Sequence, residues 1–580
     1  MKKKFLSILL AAVMVLSLIP AIAVSASAEP VVYEAANEDE LITAMLAHNT
    51  SKGTGETIRL TADITLSGRW AAEVTGKDKA YVYGIFDGNN KTIYNLTASS
   101  FVWPFGNAVF QNFTVSDKTA ADGETFSLSG ISALFGGNAV ASEVKAGETV
   151  IVRNVTNERS LSGSGNFTGG FFGALTIAGT VRFENCTNNG DYLQSSDPSV
   201  DNSYYNNNHK IGGFVGCMNS GTAEFVGCTN NGDVNASQAG GFIGIYKGNS
   251  TVTMENCTNT GDITGLSKSG KAYGVAGGFI GGFNNAAAID GNLTITLTDC
   301  VNTGDIAVVY PSGTYRTNAI GGLIGHAGGS TDGKSCVITL TRCGVYGCTI
   351  NTNGAGEYAA PLIGKCSPGN NDRVFTVTAD SCYVSQVDVI SDGARKLIGV
   401  GTSKAGKVNA YNCVLNEVTE NGSDEWNSSR YSGCNVAASA VNGFVDTDAL
   451  DVISGGAVAG YQTNDETAPS KVRFLATLPA DLSAYAKVGF VVTASYNGGE
   501  NVKGWVKDST FVYESVRAND GLISADAVSE GASYIFAITI QNIAAGIGDV
   551  TFNATPYVVL NDGSIIFGRT GSFVISVGSL

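Results

Sequence analysis

The chain has 580 residues, with 74 glycines, 10 prolines, 15% charged side chains and a formal net charge of −16. Abundant glycine with little proline and little charge excludes a disordered chain, whose composition runs the other way. The acidic balance excludes nucleic acid as a partner, because phosphate binding needs clustered Lys and Arg.

The first residues, MKKKFLSILLAAVMVLSLIPAIAVSASAEP, place Lys2, Lys3 and Lys4 before an apolar run from Phe5 to Val24. Ala26-Ser27-Ala28 follows as a small-residue cleavage motif, so residues 1–28 read as a secretory signal peptide rather than a retained anchor. No later run reaches the roughly 18 apolar residues of a membrane span. The C-terminal FVISVGSL lacks an apolar tail flanked by basic residues. The expected product is a secreted, extracellular monomer, held at a cell surface only non-covalently if at all.

Next, ANEDELITAMLAHN carries Leu41, Ile42 and Met45 at helical spacing. A short amphipathic helix there would cap the open end of a repeat array. TIRLTADITL and YGIFDGNNKTIYNLT follow, the second reading as strand–turn–strand across Asp87-Gly88-Asn89-Asn90.

From there the chain repeats itself. Aligned on the phrase ENCTN, one column reads Leu96, Phe113, Val155, Cys186, Cys228, Cys257, Cys300, Cys343, Cys382 and Cys413. The preceding residue is often Asn, with exceptions at Gly227, Asp299, Arg342 and Ser381. A second phrase recurs between column positions: GGFFG, GGFVG, GGFIG, GGLIG, APLIG. The spacing varies, 29 residues from Cys228 to Cys257 and 43 from Cys257 to Cys300. Fixed phrases with variable spacing mean short strands in register joined by free loops. The apolar residues alternate, as in Val252 and Met254, which is strand periodicity. The expectation is about three short strands per repeat: the GGFIG strand, the strand ending at the cysteine and the short GDI strand. One such unit cannot bury its apolar face alone, whereas coiled units share one continuous core.

GGFIG with ENCTNTGDI resembles the GLUG-type repeat of bacterial surface and secreted proteins. LTADITL with FDGNNKTI is similar to the opening rungs of pectate-lyase-like right-handed β-helices. The resemblance covers roughly residues 32 to 420 and does not extend to catalytic residues. It implies a right-handed parallel β-helix, often found in adhesins, and fixes no activity.

Beyond about Gly455 the glycine phrases stop. Seven or so alternating strand candidates follow, with turn signals at Asn497-Gly498-Gly499 and Asn561-Asp562-Gly563. The organisation is therefore an all-β chain: signal peptide 1–28; right-handed parallel β-helix with N-terminal helical cap, 29–420; last-rung closure and linker, 421–454; antiparallel, Ig-like β-sandwich, 455–580.

Candidate chemistry is sparse. An even cysteine count in an exported chain suggests disulfides. Stacked side chains are about 4.8 Å apart with parallel Cβ vectors, whereas a disulfide needs converging ones. Leu96, Phe113 and Val155 in the same column point to core filler; a pair such as Cys336 with Cys348 stays open. Asp191, Asp233, Asp262 and Asp305 each lie five residues after their cysteine. Either these carboxylates splay into water at a turn, or a cation bridges them, calcium being the one that takes such oxygen ligands. No other cofactor is expected. The three histidines, His48, His209 and His326, show no zinc spacing.

The long insertions between GDx and GGF should crowd one side of the coil. They offer Tyr192, Tyr204, Tyr205, Tyr273, Tyr310 and Tyr315, with Asn206, Asn207, Lys210 and Arg316. Tyrosines with amides suit sugar rings, giving an apolar face for stacking and polar groups for hydroxyls. The plain alternative is solvated loops whose tyrosines lie on the coil wall. The leading functional expectation is non-catalytic binding or adhesion to a glycan or surface partner. A polysaccharide lyase or glycoside hydrolase of the β-helix type, with a carboxylate pair hidden across rungs, is the alternative; a structural stalk is the third. A flat aromatic patch would favour binding, and a groove with close carboxylates the enzyme.

Overall fold

The computed structural model describes residues 31–421, apart from 76–79, 97–99, 117–132, 137, 141–142, 163–166, 194–208, 248, 267–273, 284–290, 310–318, 329–334, 354–357, 368–373, 381, 392–393, 396–397, 401–406 and 412–413. Beyond 421 it describes strands between 435 and 576. The described strands between 31 and 421 wind into a parallel β-helix.

One coil shows the plan. Lys210–Gly212 pairs in parallel with Phe167–Gly169 before it and Gln238–Gly240 after it. Val215–Val226 pairs with Phe172–Glu184 before it and with Ile243–Tyr246 and Ser250–Glu255 after it. Thr229–Asn230 and Val234–Ala236 complete the coil, each in register with both neighbours. Four strands form this coil, and five the next, where Ile243–Tyr246 and Ser250–Glu255 are separate; three were expected. The reason lies in the GGF phrase, which is a corner rather than a strand: Gly240 ends one strand and Ile243 begins the next. A Cβ on Gly241 would sit 2.2 Å from the Gly278 carbonyl oxygen and 2.2 Å from Asn259 Oδ1, so only glycine fits there.

The interior is made of side-chain columns. Phe171, Phe214, Phe242 and Phe279 stack in sequence, with ring centroids 4.7, 4.7 and 5.0 Å apart. Leu323 and Leu362 extend the buried column. Phe183 and Phe225 form a parallel stack at 4.7 Å, edge-on to the first. Each such pair adds about 0.5–1.5 kcal/mol beyond area burial. The cysteine column is core: Leu96, Phe113, Val155, Cys186, Cys228, Cys257, Cys300, Cys343 and Cys382 are all buried. Cys186, Cys228, Cys257, Cys300 and Cys343 carry no disulfide, and neither do Cys336 and Cys348. Burial pushes the Cys228, Cys257 and Cys300 thiols well above the ordinary range.

The residue before each cysteine has a backbone reason to be Asn or Gly. Asn95, Asn112, Asn154, Asn185, Asn256, Asp299, Arg342 and Gly227 all adopt positive φ, between 51° and 63°. That left-handed region costs most side chains roughly 1–2 kcal/mol, and least for Gly, Asn and Asp. The two charged exceptions pair with each other across rungs. Arg342 Nε and Nη2 donate to the Asp299 carboxylate at 2.7 and 2.6 Å.

The asparagine two places after Val155, Cys186, Cys228, Cys257 and Cys300 is different. Asn157, Asn188, Asn230, Asn259 and Asn302 are fully buried. Each Nδ2 donates to the next Oδ1, at 3.1, 2.8, 2.7 and 2.7 Å in order. Asn188, Asn230, Asn259 and Asn302 also donate to the glycine carbonyl two residues on, at 2.9–3.1 Å.

At the start, helix Glu38–Ser51 is N-capped by Asn37, whose side chain accepts from the Glu40 N–H, and it buries Leu41, Ile42, Ala44, Met45 and His48. The C-terminal strands are antiparallel. Ser470–Leu478 pairs with Val458–Gln462 and Tyr534–Ile543. Tyr485–Tyr496 pairs with Ser509–Ser515 and Asp549–Leu560, which also pairs with Gly571–Ser576.

Candidate functional site

The clearest surface feature lies on the first coils. Tyr81–Val82 pairs in parallel with Trp103–Pro104, placing Tyr81 opposite Trp103 and Val82 opposite Pro104. The backbone continues in step, since the Phe105 N–H donates to the Val82 carbonyl at 3.0 Å. Strand alternation then turns Val82 and Pro104 inward and leaves Tyr81, Tyr83, Trp103 and Phe105 outward and half-buried. Phe105 packs 4.9 Å from Tyr83 and edge-on at 5.6 Å from Tyr81. The Trp103 indole lies against Gly136, where a Cβ would be 2.5 Å from its Cδ1 and Nε1. Four rings from two adjacent rungs thus form one wall.

Polar groups hold this wall rigid. The Tyr81 hydroxyl donates to Glu143 Oε1 at 2.7 Å, and Glu143 is itself buried. Burial and this carboxylate push the Tyr81 phenol well above its ordinary range; burial raises Tyr83. Beneath Tyr83, His48 Nε2 accepts the Tyr83 N–H at 3.0 Å, which puts the ring proton on Nδ1, 2.7 Å from Glu56 Oε2. The Ser51 hydroxyl is 2.6 Å from the same Glu56 oxygen and makes no bond to the imidazole. Serine, histidine and glutamate are close here without forming a nucleophile and base; they are a clamp between helix and coil.

The residues expected from the sequence fall elsewhere. Tyr204, Tyr205, Tyr273, Tyr310, Tyr315 and Arg316 lie outside the described residues, as do Asn206 and Asn207. Tyr192 is not on a loop surface. It is fully buried in register with Val234, and its hydroxyl joins the asparagine ladder, 2.5 Å from Asn157 Nδ2 and 3.0 Å from Asn188 Oδ1. The GDx column was an inward column all along, filled by Val234, Ile263 and Ile306 in later coils. Lys210 is buried, with its ammonium 5.3 Å from the Phe167 ring centroid.

Asp191, Asp233, Asp262 and Asp305 do stack, and each spends one oxygen on the fold. Asp191 Oδ1 accepts the Asp233 N–H at 3.0 Å, Asp233 that of Asp262 at 2.8 Å, Asp262 that of Asp305 at 2.9 Å, and Asp305 that of Thr349 at 2.6 Å. Partial burial and neighbouring carboxylates raise Asp233 and Asp262 above their ordinary value. Among the described residues, no three His, Cys, Asp or Glu side chains converge on a point that could hold a metal ion.

No protein-family profile and no curated protein sequence matches this chain. One solved structure is similar, the enzymatically active domain of the bacteriophage CBA120 tailspike protein 4, at 12% identity and a TM-score of 0.28. The match covers 92% of this chain and 66% of that one. No helix among the described residues is long and apolar enough to cross a membrane.

The sequence did not point to the aromatic wall. YVYG and WPFG are far apart in the chain, and only the parallel register brings their odd positions side by side. The available signal was the Y-V-Y and W-P-F alternation, two aromatics flanking a small apolar residue in each.

Proposed function

We propose that this is an exported, non-catalytic glycan-binding protein of the adhesin type, and that the wall of Tyr81, Tyr83, Trp103 and Phe105 is its sugar-stacking surface. The observation that carries the reading is the outward, half-buried placement of four aromatic rings on two adjacent rungs. Sugar rings present apolar C–H faces that stack on such rings, while tyrosine hydroxyls meet the sugar hydroxyls. The finer architecture proposed with it is a secretory signal over residues 1–28, a right-handed GLUG-type β-helix capped by helix Glu38–Ser51, and a C-terminal β-sandwich.

A glycan array probed with residues 29–580 tests this, followed by product analysis of each glycan retained. Binding that leaves the glycan intact is expected. Trp103→Ala should weaken it by about 1–2 kcal/mol, the usual cost of truncating an interface tryptophan, or roughly 5–30-fold in Kd. Shortened products, or binding indifferent to both Trp103→Ala and Tyr83→Ala, would sink the proposal.

A further inference from the structure

The strands that lead to the cysteine column carry a second surface. Ser250–Glu255, Leu293–Thr298, Ser335–Thr341 and Val374–Asp380 lie side by side in parallel, with no shift of register from one to the next. Val252, Ile295, Ile338 and Val377 are fully buried, so the residues on either side of them point outward. One outward column reads Thr253, Thr296, Thr339 and Thr378. The column beside it reads Thr251, Thr294, Val337 and Thr376, where valine keeps the branched shape and drops the hydroxyl. Thr298 and Thr341 begin a third column. Thr294 is exposed and the others are half-buried.

Strand propensity favours threonine here but does not account for the uniformity. In the preceding coils the same columns mix Thr180 with Arg182 and Thr222 with Glu224, and the two charged residues pair across the rungs. From Thr251 to Thr378 the two full columns carry no charge, in a chain of net charge −16. They carry no aromatic ring either, so this face lacks the surface on which a sugar ring stacks. The result is a grid. Neighbouring rungs are about 4.8 Å apart, and alternate residues along one strand about 6.6 Å apart. Each threonine is restricted at χ1 and presents one hydroxyl and one methyl. A stiff, uncharged, regular grid suits a partner that is itself a lattice, because little freedom remains to be lost on contact.

Crystalline water has nearly these dimensions. Molecules hydrogen-bonded at about 2.75 Å in tetrahedral order have second neighbours about 4.5 Å apart, and their layers repeat at about 7.3 Å. The first distance falls about 0.3 Å short of the rung spacing, so four rungs drift by only about 0.9 Å. The second exceeds the two-residue step by about 0.7 Å, over the one interval between the full columns. Both offsets are small beside the length of a hydrogen bond. We propose that this threonine face binds ice. Its hydroxyls replace water molecules at lattice points, and its methyls fill the hollows between them. The inference is independent of the aromatic wall, which lies on the first coils.

The test freezes a dilute solution of the labelled, full secreted chain slowly onto a cold finger and compares its concentration in the ice and in the remaining liquid. Growth of a single ice crystal just below its melting point is followed in parallel in a nanolitre osmometer. The chain should be enriched in the ice, and the crystal should facet and stop growing over an interval below its melting point. Thr296→Lys/Thr339→Lys sets two long charged side chains in the middle of the grid and should abolish both effects. These side chains point to solvent, so the thermal melt by circular dichroism should stay close to that of the parent. Thr296→Ala/Thr339→Ala, which adds no bulk or charge, should lower the enrichment several-fold. Exclusion of the parent chain from ice overturns the proposal, as does enrichment that survives in both variants. Binding to microcrystalline cellulose that the lysine variant loses, with no effect on ice, would give the face to a crystalline polysaccharide instead. A dimer that the lysine variant dissociates, again with no effect on ice, would give it to a second copy of this chain. Either result overturns the proposal.

Discussion

Asn259→Ala is the substitution to which the coil should be most sensitive for its size. Asn259 is fully buried in the middle of the ladder. Its Nδ2 donates to Asn302 Oδ1 at 2.7 Å and to the Gly261 carbonyl at 2.9 Å, and its Oδ1 accepts from Asn230 at 2.7 Å. Truncation leaves two buried acceptors without this donor, at about 1–3 kcal/mol each, so the expected loss is about 2–6 kcal/mol. The control three residues away is Asn256→Gly. Asn256 sits at φ 52° on the outer turn, where glycine is at ease, so the change should stay within about 1 kcal/mol. Urea unfolding of both variants, followed by far-UV circular dichroism, compares them directly. Repeat arrays can unfold in segments, so limited proteolysis should show the coil at 257–302 opening first in Asn259→Ala. A midpoint shift no larger than that of Asn256→Gly would refute the reasoning that the ladder is a main stabiliser.

Two further outcomes are expected. In the folded protein a thiol-reactive probe should leave Cys228, Cys257 and Cys300 unlabelled at neutral pH and label them after denaturation, because burial keeps these thiols protonated; rapid labelling of the native chain would contradict this. The carboxylates act on stability in opposite senses. At Glu56 burial works to raise the group, but the Ser51 and His48 hydrogen bonds outweigh it and hold it below its ordinary 4.5. That contribution is present above about 4.5 and is lost as pH falls through the folded value. Asp233 and Asp262 are raised from 3.8, chiefly by burial, so the stability they favour exists at low pH and is lost as pH rises through their folded values. Melting curves at acid and neutral pH should show Glu56→Gln losing its penalty in acid, and the Asp233→Asn/Asp262→Asn pair gaining over the parent only as pH rises.

Much of the coil could be read from the repeats. A column occupied by Leu96, Phe113, Val155 and then cysteines could only be core, and its burial follows from that. The Asn before each cysteine was visible as a pattern, but its cause, a left-handed backbone, needed the dihedral angles. Arg342 and Asp299 looked like breaks in the pattern until the rungs were stacked and the two met. The GGF phrase was misplaced as a strand because its Phe fits strand alternation; the contacts that force Gly241 into a corner come from Asn259 and Gly278, on other stretches of chain. Tyr192 was grouped with its loop by position, although its column, shared with Val234, Ile263 and Ile306, already marked it as inward. The aromatic wall exists in no contiguous segment. Tyr81 and Tyr83 come from one coil and Trp103 and Phe105 from the next, and proximity of that kind is a property of register rather than of local sequence.

The asparagine ladder also has a direction. Every amide hands a proton donor toward the C-terminal coils and offers an oxygen toward the N-terminal ones, so five side-chain dipoles point the same way along the coil axis. Such a file behaves like a wire with two unlike ends, each link polarising the next. At the oxygen-rich end Asn157 Oδ1 accepts the Arg159 N–H at 3.4 Å, and the Tyr192 hydroxyl braces the first link, 3.0 Å from Asn188 Oδ1. At the other end the next coil places Val345 opposite Asn302, and the file ends with Asn302 Nδ2 3.8 Å from the Cys348 sulfur. The coil is therefore not reversible: a segment grafted onto the C-terminal side must begin with an acceptor, and one grafted onto the N-terminal side must finish with a donor. The choice of residue at position 345 decides how far the file runs, and with it the length of this solenoid over which rungs are coupled.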